Sequence, residues 1–328
     1  MPVTSTRNSI ARGALILGSL ALVALVAELG LRVTWTEPWW EKLQADPTEP
    51  ELDRFPVGRF QLPLRKPPEA EPKPDGTYRI LVLGDSFTYA QGVDEELGFV
   101  RRLETMLNAR RPLPGIERYE VYNGGIPGSL TPAWHALLAH LGGHYQPDQV
   151  LAVFFLRDGV AGVKTADQID GIRQQMRRIA QTSAAYRRSY LVRFALDRIE
   201  RQRLSSRYLE RIRMAYVGPD ADRGEWWRAR TELLWMRRES ERLGARFALA
   251  VFPMLYELGD DYPLAEVCDA IEGFAHEHEI PVFSLLPSFR GRDAPDLWVS
   301  AYDQHPNSEG HRIAAEALYP FVVSQLAE

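Results

Sequence analysis

Apolar and polar positions along the 328-residue chain fall into three regimes. Gly13 to Ala27 (GALILGSLALVALVA) is an uncharged apolar run that resumes after Glu28 as Leu29-Gly30-Leu31. A helix over about residues 12–33 reaches the roughly 20 residues that a bilayer core requires. Residues 44–76 are dense in Pro, Glu and Lys, which argues against a continuous helix or a central strand and predicts a semi-extended tether. From Tyr78 onward, short apolar runs alternate with stretches of helical periodicity, the pattern of a parallel α/β sheet.

Within that third regime the pattern predicts five strands. Ile80–Leu83 stops at Gly84, and Tyr119–Tyr122 ends at Asn123-Gly124-Gly125. Val150–Leu156 and Phe247–Phe252 follow, then a shorter run at Pro281–Leu285. Phe99, Leu103, Met106 and Leu107 lie at helical spacing within Glu96–Asn108. Pro132–Leu141 reads as a helix closed by Gly142-Gly143. Further helices are expected over Trp226–Leu243, around Leu264–His276, and over Ser308–Leu326 with Asn307 as N-cap.

Lys164 to Arg213 interrupts the alternation. Ile172, Met176 and Ile179, then Leu191, Phe194 and Ala195, fall on helical faces, and thirteen Lys/Arg stand against five Asp/Glu. The segment reads first as a solvated amphipathic surface. The sharper alternative is a helical cap that attracts anionic substrate or lipid headgroups. The expected organisation is a tail and membrane anchor at 1–34, a Pro-rich linker at 35–75, and one domain at 76–328 with a helical insertion at about 164–217.

Three readings compete for the N-terminus. A cleaved signal needs small residues at its cleavage site, but Ala27 has Leu25 two positions before it. A buried core helix is the second. An uncleaved anchor is favoured, with Trp35, Trp39 and Trp40 as an interfacial aromatic belt and Glu28 near the outer edge, its side chain reaching headgroups. Arg7 and Arg12 place the short tail inside, although Arg32 and Lys42 beyond the span weaken that bias.

Composition narrows the function classes. A hydrophobic share of 45% and a charged share of 25% are ordinary for a globular chain. The net charge of -5 offers no whole-protein case for nucleic-acid binding. Cys268 is the single cysteine, so an intramolecular disulfide framework and a cysteine-rich zinc cluster are both excluded.

Two short motifs carry candidate chemistry. Gly84-Asp85-Ser86 directly follows a strand, so Ser86 would project at the carboxyl end of the sheet, where ligands bind in open α/β folds. The bland reading is that Asp85 or Ser86 caps the next helix. No G-x-S-x-G surrounds Ser86, which argues against an α/β-hydrolase elbow. Asp303-Gln304-His305-Pro306-Asn307 stands just before the last helix. A serine hydroxyl needs a base, histidine has a suitable affinity for protons, and an aspartate must orient the ring. Side chains two apart in extended backbone point the same way, so Asp303 can reach His305.

Other histidines carry less. His276 and His278 do not share a helix face, and Gly142-Gly143 is expected to end the helix between His140 and His144. His311 falls in the first turn of the last helix, and Trp226, Trp227 and Trp235 are expected to pack the core or the cap.

In order along the chain, LVLGDSFTYAQGV, YNGGIPGSLT, VFFLRDG and DQHPNSEGH resemble the four sequence blocks of the SGNH (GDSL-type) hydrolase superfamily, from about Tyr78 to Glu328. The resemblance implies a three-layer α/β/α sandwich, flavodoxin-like in strand arrangement. It implies Ser86 as nucleophile and first oxyanion donor, Gly128 as second donor, His305 as base and Asp303 as its acid. It implies no metal or organic cofactor, and an acylated small molecule or glycan as substrate. Ester hydrolysis through an acyl-enzyme is the expected activity. O-acetyl transfer to an envelope polysaccharide and a degenerate binding or assembly module are the alternatives. The implied setting is a single-pass inner-membrane protein with its domain on the extracytoplasmic side.

The chain departs from the family pattern twice. Arg157 stands where the third block usually has asparagine, so it could aid an oxyanion, bind a substrate carboxylate, or pair with Asp158. The acid-to-histidine spacing is D-x-H, where many members have D-x-x-H.

Overall fold

The computed structural model describes residues 4–35, 38, 40–41, 54–57, 60–64, 73–160, 165–301 and 303–326. Most of the expected linker lies outside them, as do Trp39, Lys42 and Lys164. The chain divides into two compact units, one of residues 1–48 with 162–208, the other of 49–161 with 209–328.

The larger unit begins with a hairpin of β1 (Arg54–Val57) and β2 (Phe60–Pro63), within the segment expected to lack a central strand. Its centre is a five-stranded parallel sheet: β3 (Thr77–Gly84), β4 (Arg118–Gly125), β5 (Gln149–Phe155), β6 (Arg246–Phe252) and β7 (Val282–Ser284). The order β4-β3-β5-β6-β7 is the doubly wound, flavodoxin-like one. The expected strands are all present; β3, β4 and β6 run longer than their apolar runs, β5 is shifted by one residue, and β7 is shorter. Ile80 to Leu83 are at most 1% exposed because β3 is covered on both faces, which is why it reads as a continuous apolar run.

Helices form the outer layers. α2 (Ser86–Tyr89) is a single turn after β3, and α3 (Phe99–Arg110) joins β3 to β4. α4 (Thr131–Tyr145) joins β4 to β5, and α8 (Glu225–Arg242) and α9 (Ala265–Glu277) flank β6. Phe99 on α3 meets Phe252 and His311, while Trp134 on α4 and Trp226 on α8 meet Phe154. After β7 come the turn α10 (Leu286–Phe289), a hairpin of β8 (Trp298–Ser300) and β9 (Asp303–Pro306), and α11 (Ser308–Leu326). Asn307 caps α11 as expected, accepting from the N–H groups of Glu309 and Gly310. His311 lies in the first turn, fully buried against Phe99.

Two sequence expectations are corrected here. α4 does not stop at Gly142-Gly143 but runs on to Tyr145 and ends at Gln146 in the left-handed region, φ +50°. Gly142 is there for packing: a Cβ on it would lie 2.5 Å from Leu243 Cδ1, so glycine lets α4 sit close to the end of α8. Of the three tryptophans on α8, only Trp226 is core; Trp227 and Trp235 are each 48% exposed.

The smaller unit contains α1 (Thr4–Thr34), α5 (Thr165–Thr182), α6 (Ala184–Arg188) and the first part of α7 (Tyr190–Val217). Residues Arg12–Thr34 of α1 are long and apolar enough to cross a membrane, with mean hydropathy 2.3. Trp40 is 4% exposed and lies beside the buried Tyr186, and not on a lipid-facing belt. Trp35 is partly exposed and packs edge-on against Phe194 at 5.7 Å. The Glu28 carboxylate is occupied by the start of α7.

A buried ion pair fixes the register of β3 on β4. Arg79 Nε donates to Glu120 Oε2 at 2.8 Å and its Nη1 to the Tyr145 carbonyl, with both side chains about 95% buried or more. Burial alone would raise the Glu120 pKa, but Arg79 and Arg118 hold it below the usual range. Arg79→Met should therefore destabilise the protein by about 3 kcal/mol in chemical denaturation, because Glu120 keeps only the exposed Arg118 and the Tyr122 hydroxyl. Adding Glu120→Leu should recover most of that loss.

Candidate active site

Three strand ends build the site. Ser86 is the first residue of α2 and 2% exposed. The turn from β3 into α2 is tight: a Cβ on Gly84 would lie 2.0 Å from Thr88 Oγ1 and 3.0 Å from the Val153 carbonyl. Asp85 is wholly buried and caps α2, its Oδ1 accepting from Phe87 N at 2.9 Å. The capping reading thus falls to Asp85, which leaves Ser86 to point elsewhere. At the end of β4, Asn123 Oδ1 accepts from Gly125 N at 2.9 Å, shaping the turn that leads to Gly128. Gly128 has φ +68°, and nothing stands within 4 Å of where its Cβ would be.

The fourth piece arrives from the far end of the chain. β9 holds Asp303 and His305 on one face, two residues apart. His305 Nδ1 lies 2.6 Å from Asp303 Oδ1, and His305 Nε2 lies 2.9 Å from Ser86 Oγ. Hydrogen-bond logic puts the ring proton on Nδ1, facing the carboxylate, so Nε2 accepts from the serine hydroxyl. Asp303 Oδ1 also accepts the His305 N–H at 3.0 Å, so one carboxylate fixes both backbone and ring. The ring stands 5.5 Å from Phe87, which in turn stacks on Phe155.

The hairpin that carries His305 is held by contacts with no sequence signal of their own. Trp298 Nε1 donates to the Leu255 carbonyl, and Asn307 Nδ2 to the carbonyls of Asp296 and Trp298. Asn307 therefore does two jobs, capping α11 and bracing the loop before β8. Tyr216 was also missed: its hydroxyl donates to Leu156 O at 2.7 Å and accepts from Gly159 N at 3.0 Å, clasping the turn that contains Arg157 and Asp158.

Arg157 does not point out as an isolated cation. Its Nη2 is 3.8 Å from Asp85 Oδ2, and its side chain is 36% exposed. Asp158 is buried, with Oδ2 accepting from Phe155 N at 2.8 Å. Burial pushes the Asp85 carboxyl up, against the pull of Arg157, the Phe87 N–H and His305. Burial and the neighbouring charge of Asp85 push Asp158 well up, toward its neutral form. So a carboxyl pair with one adjacent guanidinium lies behind the serine.

Among the described residues, no three His, Cys, Asp or Glu side chains group as metal ligands. A cavity of about 560 Å³ borders β8, lined by Tyr256, Glu257, Asp260, Asp261, Arg292 and Trp298 among others. Ser86 and His305 are not part of its wall.

No protein-family model matches the chain, and no curated protein does. Similar folds occur among solved structures. The crystal structure of TesA aligns at 18% identity and a TM-score of 0.45, over 75% of this chain and 98% of that one. The psychrotrophic esterase EstA from a Pseudoalteromonas species, inhibited by monoethylphosphonate, aligns at 17% and 0.45, over 76% and 99%. A catalytic mutant of Axe2, an acetylxylan esterase from Geobacillus stearothermophilus, aligns at 15% and 0.44, over 75% and 94%. Identities and overlaps this low carry no activity across, so the function must be argued from the side chains.

Asp303 links the site to acid stability. Burial raises its pKa, but the hydrogen bond to His305, the charge of the ring and the backbone N–H outweigh it and hold the carboxyl below its ordinary 3.8. A depressed folded-state pKa stabilises the fold at pH values above the unfolded one, and that contribution is lost as pH falls through the folded pKa. The unfolding free-energy difference between wild type and Asp303→Asn should therefore shrink as pH falls below about 4. A difference independent of pH would mean that the Asp303–His305 bond is not formed in solution.

Proposed function

We propose that the chain is a serine-dependent ester hydrolase held at a membrane by α1, with its catalytic unit on the extracytoplasmic side. The observation that carries the reading is the continuous relay Ser86 Oγ, His305 Nε2, His305 Nδ1, Asp303 Oδ1 at 2.9 and 2.6 Å. The organisation that goes with it is an anchor at 1–34, a linker at 35–75 and a hydrolase domain at 76–328 carrying the helical insertion.

The chemistry has two halves. Ser86 Oγ attacks the acyl carbonyl while its proton passes to His305 Nε2, and Asp303 stabilises the imidazolium that forms. The new oxyanion takes hydrogen bonds from the N–H groups of Ser86 and Gly128, the open side of the Gly128 turn admitting the acyl oxygen. Collapse expels the alcohol, which leaves with the proton from Nε2. Water then gives a proton to Nε2, attacks the acyl-enzyme, and the acid departs as Ser86 regains its hydrogen.

Arg157 supplies positive charge where asparagine would supply an amide. Its distance to Asp85 suits a role in the field around the oxyanion, with Asp85 holding the guanidinium in place. The substrate class this supports is an acylated small molecule or glycan, its acyl group addressed by the serine and its alcohol portion by loops around the strand ends.

A fluorophosphonate probe should label wild type and fail to label Ser86→Ala, and that variant should lose about 10⁴-fold or more in kcat on p-nitrophenyl acetate. Equal labelling of both removes Ser86 from the mechanism. Arg157→Ala should lower kcat about a hundredfold with little change in KM if its charge acts on the transition state. A change confined to KM assigns it to ground-state binding instead.

A further inference from the structure

Glu28 is the only acidic residue between Arg12 and Thr34 of α1, and its surroundings are fully defined. Its side chain is 17% exposed. It accepts the N–H of Tyr190 at 3.0 Å, the N–H of Leu191 at 2.8 Å, the Ser189 hydroxyl at 2.8 Å and Arg32 Nε at 2.9 Å. Tyr190 and Leu191 are the first two residues of α7, whose N–H groups have no acceptor within the helix. Ser189 Oγ takes the next such donor, from Val192. A carboxylate from α1 and a serine thus cap α7 together, at the end where the helix dipole favours negative charge.

The surrounding contacts tie the same two segments. The Arg32 guanidinium donates to the Arg188 carbonyl at 3.1 Å and lies over the Tyr190 ring at 5.4 Å. Arg193 lies over the same ring at 4.7 Å. Arg32 stands more than 150 positions from Arg188 and Tyr190 in sequence, so the insertion is joined to the apolar helix and is not a loose excursion.

The depth of this junction follows from helix geometry. Glu28 is six residues before Thr34, about 9 Å of rise. If α1 spans a bilayer, as the preceding reading has it, the start of α7 lies within about 9 Å of the outer end of the span, the shallow depth at which interfacial amphipathic helices sit. What α6 and α7 carry there suits that place. Arg187, Arg188, Arg198 and Arg201 are exposed, and so are Phe194 and Ile199, at 42% and 44%. Residues 162–208 hold eleven Lys/Arg against four Asp/Glu. The apolar flank of α1 is bare alongside, with Leu29 55% and Val33 84% exposed. Basic groups interleaved with apolar and aromatic ones are what an amphipathic helix needs to lie in an anionic lipid interface.

We propose that α6 and the first turns of α7 form an interfacial platform, locked to the membrane helix by Glu28, whose partner is the anionic phospholipid headgroup layer of the membrane that α1 spans. The inference rests on the anchored reading and not on the esterase chemistry.

The test uses the full chain in lipid nanodiscs. Cys268 is buried and is replaced by Ala, and a bimane label goes on Ile199→Cys. Quenching by headgroup spin-labelled lipid is compared in phosphatidylcholine discs and in discs with roughly 30% phosphatidylglycerol. Quenching should rise about threefold with the anionic lipid and fall back in high salt. Glu28→Ala should abolish that rise, and so should Arg187→Gln with Arg198→Gln and Arg201→Gln, which leaves the Glu28 cap intact. A circular-dichroism spectrum and thermal transition matching those of wild type show that each variant is folded. Quenching that ignores lipid charge, or a rise that survives both sets of variants, overturns the inference while leaving the anchor and the esterase untouched. Extraction of the wild-type chain from membranes by alkaline carbonate overturns the anchor and this inference together.

Discussion

The hydrogen bond between His305 and Ser86 closes a loop of 219 residues, and the site exists only while that closure holds. A single neutral hydrogen bond is worth about 1 kcal/mol net, far too little to recruit a segment from the end of the chain. The histidine is brought there by the larger structure. α11 packs on α3, β8 ties to the loop after β6 through Trp298, and Asn307 joins the hairpin to its helix cap. Asp303 then removes the remaining freedom, since one carboxylate oxygen holds both the ring and the backbone of His305. The relay is thus the product of packing, and its short distances express preorganisation that the sheet has already supplied.

Behind the serine, the electrostatics are unusual in composition but coherent in sign. Asp85 and Asp158 are both buried, so their charged forms are costly, and the charge of Asp85 raises the cost of ionising Asp158. The positive charge of Arg157 offsets part of that cost. The guanidinium that steadies Asp85 lies 3.8 Å from its carboxylate, at the end of β5. Replacing a neutral donor by a charged one therefore changes what the surrounding carboxyls must do, and the two features belong together.

How much of this the sequence disclosed depends on the range of the forces involved. The five strands were legible because a doubly covered strand must be continuously apolar, as Ile80–Leu83 is. Ser86, His305 and Asp303 were legible because tight turns and i,i+2 pairing are local stereochemistry written into a few adjacent residues. Gly142-Gly143 misled because a glycine that permits helix contact looks identical to one that ends a helix, and only Leu243 decides between them. Tyr216, Trp298 and the β8–β9 pairing had no local signature, since each acts on backbone carbonyls and amides that any residue could provide.

Glu28 is the extreme case of that last class. In sequence it is an awkward charge near the end of an apolar helix, and the economical reading sends it outward to water and headgroups. The structure gives it four donors instead, three of them from Ser189, Tyr190 and Leu191. A carboxylate so occupied serves two needs at once: it removes an uncompensated charge from a membrane-compatible helix, and it satisfies amides that the first turn of α7 cannot satisfy alone. The start of α7 is incomplete without Glu28, so the insertion and α1 constrain each other's position. An insertion that evolved only as a cap over the site would have no need of that carboxylate, which makes the pairing with α1 the more informative fact about what the insertion is for.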